Sequence, residues 1–144
     1  MCNRCNSACV FAWINDNVFM DEKTLQLVAE IARNAAWTKF QRIYSLKGRM
    51  PAIKLNRRLK TTAGRCSITE RWIDLSVDMM RENLEMFKLE IIPHEVAHQV
   101  AFDLYKDEGH GVHWKSVMIA YGLDPKRCHS LTTKASRAKA AMKR

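Results

Sequence analysis

Pro93-His94-Glu95-Val96-Ala97-His98 decides the reading of this 144-residue chain. On a helix, residues four apart project in nearly the same direction. His94 and His98 can therefore bring imidazole nitrogens to about 2 Å from one zinc ion. Glu95, one residue on, stands beside such an ion rather than on it. There it can accept a proton from water that the metal acidifies toward a pKa of about 7. That is the chemistry of a zinc hydrolase. The surrounding pattern is helical, because Val96, Ala97, Val100 and Ala101 supply an apolar face on the same turn spacing. Pro93 lacks an N–H and clashes with the preceding turn, so a kink or a fresh helix start is expected there.

A catalytic zinc takes three protein ligands and keeps one position open. The metzincin pattern would put Gly at 101 and His at 104, but the chain has Ala101 and Leu104, which rejects that class. Downstream, Gly109-His110-Gly111 is the best source of a third ligand, since flanking glycines let the backbone turn sharply toward the helix. His110 is the expected ligand. His113 is the runner-up, read as lying near the pocket mouth or behind a ligand, and Glu108 is the weaker carboxylate option. Tyr105, His113, Tyr121 and His129 are candidate donors to an oxyanion.

Working outward, Asp21-Glu22-Lys23-Thr24 offers helix-starting chemistry, and Leu25, Val28, Ile31, Ala32, Ala35 and Ala36 recur near helical spacing. The first helix is expected over 22–46, stopped by Gly48 and Pro51. Trp37, Phe40 and Tyr44 sit on one face of it and read as core. Ala52 to Asn56 alternates as a half-buried strand does, and 61–68 and 72–75 read as two more short strands, with Gly64 a bend or bulge. From Ser76 the pattern is helical again. Trp114, Val117, Met118 and Tyr121 form one face of a short helix, stopped by Gly122 and Pro125. The predicted fold is α+β: an N-terminal helix, a small three-stranded antiparallel or mixed sheet, the H-E-x-x-H helix and a short C-terminal helix. The expected division is an N-terminal segment over 1–21, the main domain over 22–130 and a basic tail over 131–144, the tail loosely helical or disordered.

Composition narrows the function classes. With 47% hydrophobic and 27% charged residues the chain has the balance of a globular protein. No apolar run approaches the roughly 20 residues of a membrane helix, and the first residues lack a secretory pattern. A membrane partner is not expected, and the expected location is cytoplasmic or nucleoid-associated, the host cytoplasm for a viral source. Five cysteines cannot all pair within one chain. Cys2, Cys5 and Cys9 could offer soft metal ligands, but no second C-x2-C pair completes a four-ligand site, and they read as terminal thiols.

The net charge of +9 is unevenly spread. No acidic residue falls between Glu30 and Glu70 or after Asp124, and these two blocks hold 17 of the 24 basic residues. Such a field attracts polyanions, nucleic acid first among them. Lys54, Arg57, Arg58, Lys60, Arg65, Lys126 and Arg127 are the candidate nucleic-acid contacts.

The stretch Ile91 to His98, then Gly109-His110-Gly111-x-x-Trp114-Lys115 and Met118, resembles the SprT-like metallopeptidase family, which includes DNA–protein crosslink proteases. Ala63-Gly64-Arg65-Cys66, Trp72-Ile73-Asp74-Leu75-Ser76 and Pro125-Lys126-Arg127-Cys128-His129 are similar to further family segments, so the likeness covers roughly residues 24 to 130. The resemblance implies a zincin-like minimal protease domain, one catalytic Zn2+ on His94, His98 and His110, Glu95 as the catalytic carboxylate, protein substrates and DNA as a partner. The family's cysteine-rich zinc ribbon has no counterpart here, since no cysteine follows Cys128. Two other readings remain at this stage: a DNA-associated regulatory or scaffold protein whose zinc only holds the fold, and a zinc hydrolase of small or non-protein substrates. An extended peptide could pair with the 61–68 strand as an edge.

Overall fold

The computed structural model describes residues 19–126, 131 and 133–143. Helix α1 (Glu22–Ile43) begins where Asp21 accepts the Thr24 N–H at 2.8 Å, which satisfies one of the N–H groups a helix start leaves unpaired. It buries Leu25, Ala29, Ala36, Trp37 and Phe40. It ends three residues before the expected 46, because the backbone turns extended at Tyr44 and the side chains of Tyr44 and Leu46 fold back onto the core. Packing there wins over continued helix.

Strands β1 (Ala52–Asn56), β2 (Gly64–Ser67) and β3 (Trp72–Ser76) form one sheet in the order β1-β3-β2. The sheet is mixed: β1 runs parallel to β3, and β2 antiparallel to it. The second strand is shorter than 61–68, and it lies at a sheet edge. Side-chain alternation sends Ile53, Leu55, Ile73, Leu75, Gly64 and Cys66 to one face and Lys54, Arg65, Trp72 and Asp74 to the other. The first face closes on α1 and on the metal-motif helix. Gly64 makes no bulge. A Cβ there would come within 3.3 Å of Glu95 Cγ and 3.1 Å of Leu75 Cδ2, so a larger residue would make these side chains give way.

Ser76 caps α2 (Val77–Glu82), and after a break at Asn83 come α3 (Leu84–Met86) and a π-helical turn over Phe87–Ile91. Helix α4 (Ile92–Tyr105) continues from it through helical backbone at Ile91 and Ile92, with Pro93 just past the widened turn. There the Ile92 N–H reaches back to Phe87 O, so the helical ladder is already shifted where the proline cannot donate. Helix α4 is buried from Ile92 to Ala101. Lys106 ends it in the left-handed conformation, and α5 (Val112–Tyr121) ends at Gly122, with φ 98°. In the tail, α6 (Lys134–Met142) is an exposed helix whose first N–H is held by Glu82 at 2.7 Å. Among the described residues no helix is long and apolar enough to cross a membrane.

One polar network ties the hairpin between β2 and β3 to α4. Arg71 holds Asp103 through both carboxylate oxygens, at 2.7 and 2.9 Å. Its backbone takes φ 58°, a strained choice for a side chain of this size. The fully buried Gln99 donates to Ile68 O at 3.1 Å and to Asp103 Oδ1 at 3.0 Å. Asp103→Ala leaves the mostly buried Arg71 charge without its partner, and the expected loss is about 2 kcal/mol of unfolding free energy. Lys88→Ala, which breaks the exposed pair with Glu85, should stay within about 0.5 kcal/mol of the parent. Urea titrations of the two variants check the contrast, and equal losses would deny the network its role.

Candidate metal centre

Helix α4 carries His94 and His98 one turn apart on the face turned toward β2 and the loop 106–111, and both are buried. The loop returns His110 to them. His98 Nε2 lies 3.1 Å from His110 Nε2, and His110 Nε2 lies 3.3 Å from His94 Nε2. Nitrogens bound tetrahedrally to one zinc at about 2 Å stand about 3.3 Å apart, so the three imidazoles fit one ion. Burial, with the neighbouring His110 second, pushes His98 down to about 4. It is therefore neutral at pH 7, the form in which an imidazole can bind a metal.

Glu95 Oε1 lies 3.9 Å from His94 Nε2 and is buried. Burial alone pushes its carboxyl up to about 8. A divalent cation beside it favours the carboxylate and opposes that shift. The three histidines and Glu95 form the floor of an open cleft of about 510 Å3. One wall is the stretch Thr61 to Cys66 at the sheet edge, and the other is Glu108 and Gly109.

The position of His110 depends on a residue that the sequence reading passed over. Asp107 accepts the Gly109 N–H at 3.1 Å with one oxygen and the Trp114 N–H at 3.1 Å with the other. These N–H donors, the Trp114 one first, hold its carboxyl below the usual range. One carboxylate thus clamps both ends of the loop bearing His110. Gly111 has to be glycine for the same reason, because a Cβ would lie 2.7 Å from Asp107 Oδ2. Gly109 has open space and no positive φ, so only one of the two flanking glycines is needed sterically. The anchored Trp114 is fully buried, and its indole packs on the rings of His94, His98 and His110 at centroid distances of 4.8, 5.2 and 4.5 Å.

Other predicted site residues lie elsewhere. His113 stacks on Tyr105 at 4.4 Å, and Tyr121 packs on Phe40 at 4.7 Å with Lys39 over its ring. None of the three lines the cleft, because each projects from a helix end or face turned away from the histidines. Trp37 and Phe40 are buried core and Tyr44 packs against it, as their spacing implied. His129, Arg127 and Cys2, Cys5 and Cys9 lie outside the described residues. Arg57 pairs with Glu22, Lys60 with Asp78, Arg65 with Asp74 at 2.9 Å and Lys126 with Asp124 at 3.2 Å. Lys54 covers the Trp72 ring at 4.4 Å, and Arg58 is exposed beside it in sequence order after β1.

The chain is thus an α+β domain with two histidines on one helix turn and a third on a clamped loop, placed where the three could hold one metal ion. The SprT-like family model matches residues 9–134, and the chain belongs to that family. It is 35% identical over 88 residues to Protein SprT of Pseudomonas putida, covering 58% of this chain and 54% of that one. Against Protein SprT of Shewanella oneidensis it is 29% identical over 80 residues, 54% of this chain and 51% of that one. Against the Pseudomonas aeruginosa protein of that name it is 36% identical over 75 residues, 50% and 46% of the two chains. The chain spans about half the length of the curated relatives it matches. No solved structure matches it.

Two measurements test this geometry. Asp107→Ala should weaken zinc binding roughly 10- to 100-fold in a competition titration against a chromophoric chelator, while the metal-free protein keeps its far-ultraviolet spectrum. Unchanged affinity would mean His110 is held without the clamp. Burial pushes the Cys66 thiol up to about 12, which leaves almost no thiolate at pH 8. Peptide mass mapping should find Cys66 unmodified by iodoacetamide in the folded protein and modified after denaturation.

Proposed function

We propose that this protein is a zinc-dependent endopeptidase of SprT type that cuts proteins bound or crosslinked to DNA, in the cytoplasm or on the nucleoid. The observation that carries the reading is the convergence of three imidazoles and one buried carboxylate at the floor of an open cleft. A structural zinc site is closed by four protein ligands. Among the described residues this one offers three, with Glu95 beside them and room for a substrate. That favours hydrolysis over a zinc that only holds the fold.

The residues divide the work as follows. His94, His98 and His110 would hold the zinc, and a zinc so held polarises a carbonyl and acidifies water. Glu95 accepts the proton of the attacking water and returns it to the leaving amine. The edge of β2 that faces away from β3 borders the cleft, so an extended peptide can add as a further strand through backbone hydrogen bonds. The helix-plus-edge-strand arrangement is zincin-like. Gly64 leaves Glu95 uncovered where a larger residue would press on it.

The test follows the loss of a histone incubated with the zinc-loaded protein, with and without single-stranded DNA. Cleavage should be stimulated by DNA, stopped by chelation and restored by zinc. Glu95→Gln should keep the metal and lose roughly 10²- to 10⁴-fold in rate. Cleavage that survives Glu95→Gln, or none from a zinc-loaded protein under any condition, overturns the reading.

A further inference from the structure

A second concavity, of about 460 Å3, lies along the outward edge of the sheet, away from the metal cleft. Arg33, Arg49, Lys54, Arg71, Glu70 and Trp72 line it. Arg71 is committed to Asp103, and Glu70 accepts the indole N–H of Trp72. Arg33 uses its guanidinium on neutral partners, the Asn34 side chain and the Pro51 carbonyl. Among the described residues, Arg33, Arg49 and Lys54 form no ion pair. The groove therefore gathers three cations that form no ion pair and one carboxylate, Glu70, around one half-buried indole, a net positive charge. Lys54 sits 4.4 Å from the ring centroid and Arg65 6.0 Å from it.

We infer that this groove binds single-stranded nucleic acid, with Arg33 and Arg49 on phosphates and a base taking the place of Lys54 over the Trp72 ring as Lys54 turns to a further phosphate. Cations in a concave track fit a backbone that carries one charge per repeat. An aromatic ring among them adds a stacking surface that every base can use. A duplex hides its base faces, which selects the single strand. The position of Arg65 gives the groove its purpose. Register sets Lys54, Asp74 and Arg65 side by side across the three strands, and Arg65 also lines the metal cleft. A strand leaving the groove over Arg65 arrives at the rim of the cleft and presents there whatever protein it carries. Only this last step rests on the proposed protease function.

The experiment measures binding of a short fluorescent oligodeoxythymidylate to the zinc-loaded protein by anisotropy across a salt series. Arg49→Ala with Lys54→Ala should lower affinity roughly tenfold or more and make the log–log salt slope shallower by about 1.4, two phosphate contacts at about 0.7 each. Lys39→Ala with Arg42→Ala removes the same charge from α1 beside Tyr121, and should change affinity less than threefold. Binding should quench tryptophan fluorescence in the parent, which has four tryptophans, and the quench should fall away in Trp72→Phe. Equal losses in the two double variants would reduce the effect to net charge and overturn the groove. So would binding of the matching duplex, or of polyglutamate, as tight as that of the single strand. Cleavage of a DNA-free unfolded protein should be the same in Arg49→Ala/Lys54→Ala as in the parent, with DNA stimulation lost. If no substrate is cut and the binding pattern holds, the groove stands and the protease function falls. If cleavage is intact and the oligonucleotide ignores the groove variants, the groove falls alone.

Discussion

Three imidazole nitrogens held within 4.8 Å of one another is the constraint around which the rest of the chain is arranged. Imidazoles crowded together in a largely buried place lose water, which is costly unless something in the site repays it. A divalent cation is the group whose chemistry suits them. The helix supplies two of the nitrogens at no conformational cost, because residues four apart already share a face. The third comes from a loop, where chain entropy works against any fixed position. Asp107 counters that entropy with two backbone hydrogen bonds at the loop's ends, and Trp114 blocks the side of the cluster opposite the cleft. Metal affinity in such a site is then a property of the loop as much as of the ligands.

The sheet is tied to the same helix by a different device. Gln99 follows His98 directly and is fully buried, with apolar Val100 and Ala101 after it. Its amide joins the Ile68 carbonyl to Asp103, and Asp103 in turn holds Arg71. The hairpin that carries β2 is therefore registered on α4 by charged and amide groups as well as by packing. A free strand edge needs such anchoring if it is to keep a constant height above the histidines. Without it, apolar contacts alone would let the edge slide, because they have little directionality.

The helix bearing His94 and His98, an irregularity in it next to Pro93 and the return of His110 to the pair were all legible, because each depends on local spacing and on the chemistry of a few residue types. Order within the sheet was not. Nothing in Ala52 to Asn56 says that it pairs in parallel with the third strand rather than with the second, since that choice is made by the long segments between them. Asp107 was missed although its signal existed: an aspartate two residues before a glycine is a turn former. Gln99 and Asp103 carried a weaker signal, polar residues one turn apart on a helix whose neighbours are buried. Their partners, Ile68 and Arg71, are distant in sequence, and no period announces them.

Charge shows most clearly how a linear block differs from a spatial one. Arg57, Lys60 and Arg65 fall in a stretch without a single acidic residue, yet each meets a carboxylate contributed by another element, namely Glu22, Asp78 and Asp74. Folding mixes the signs that the sequence separates. The field that survives is set by the cations left over, and a side chain such as Lys54 counts for more than its neighbours Arg57 and Lys60. Exposed ion pairs are screened and contribute little stability. Their effect here is to cancel charge locally at Arg57, Lys60 and Arg65. A chain can therefore be basic overall and still direct a polyanion to one place.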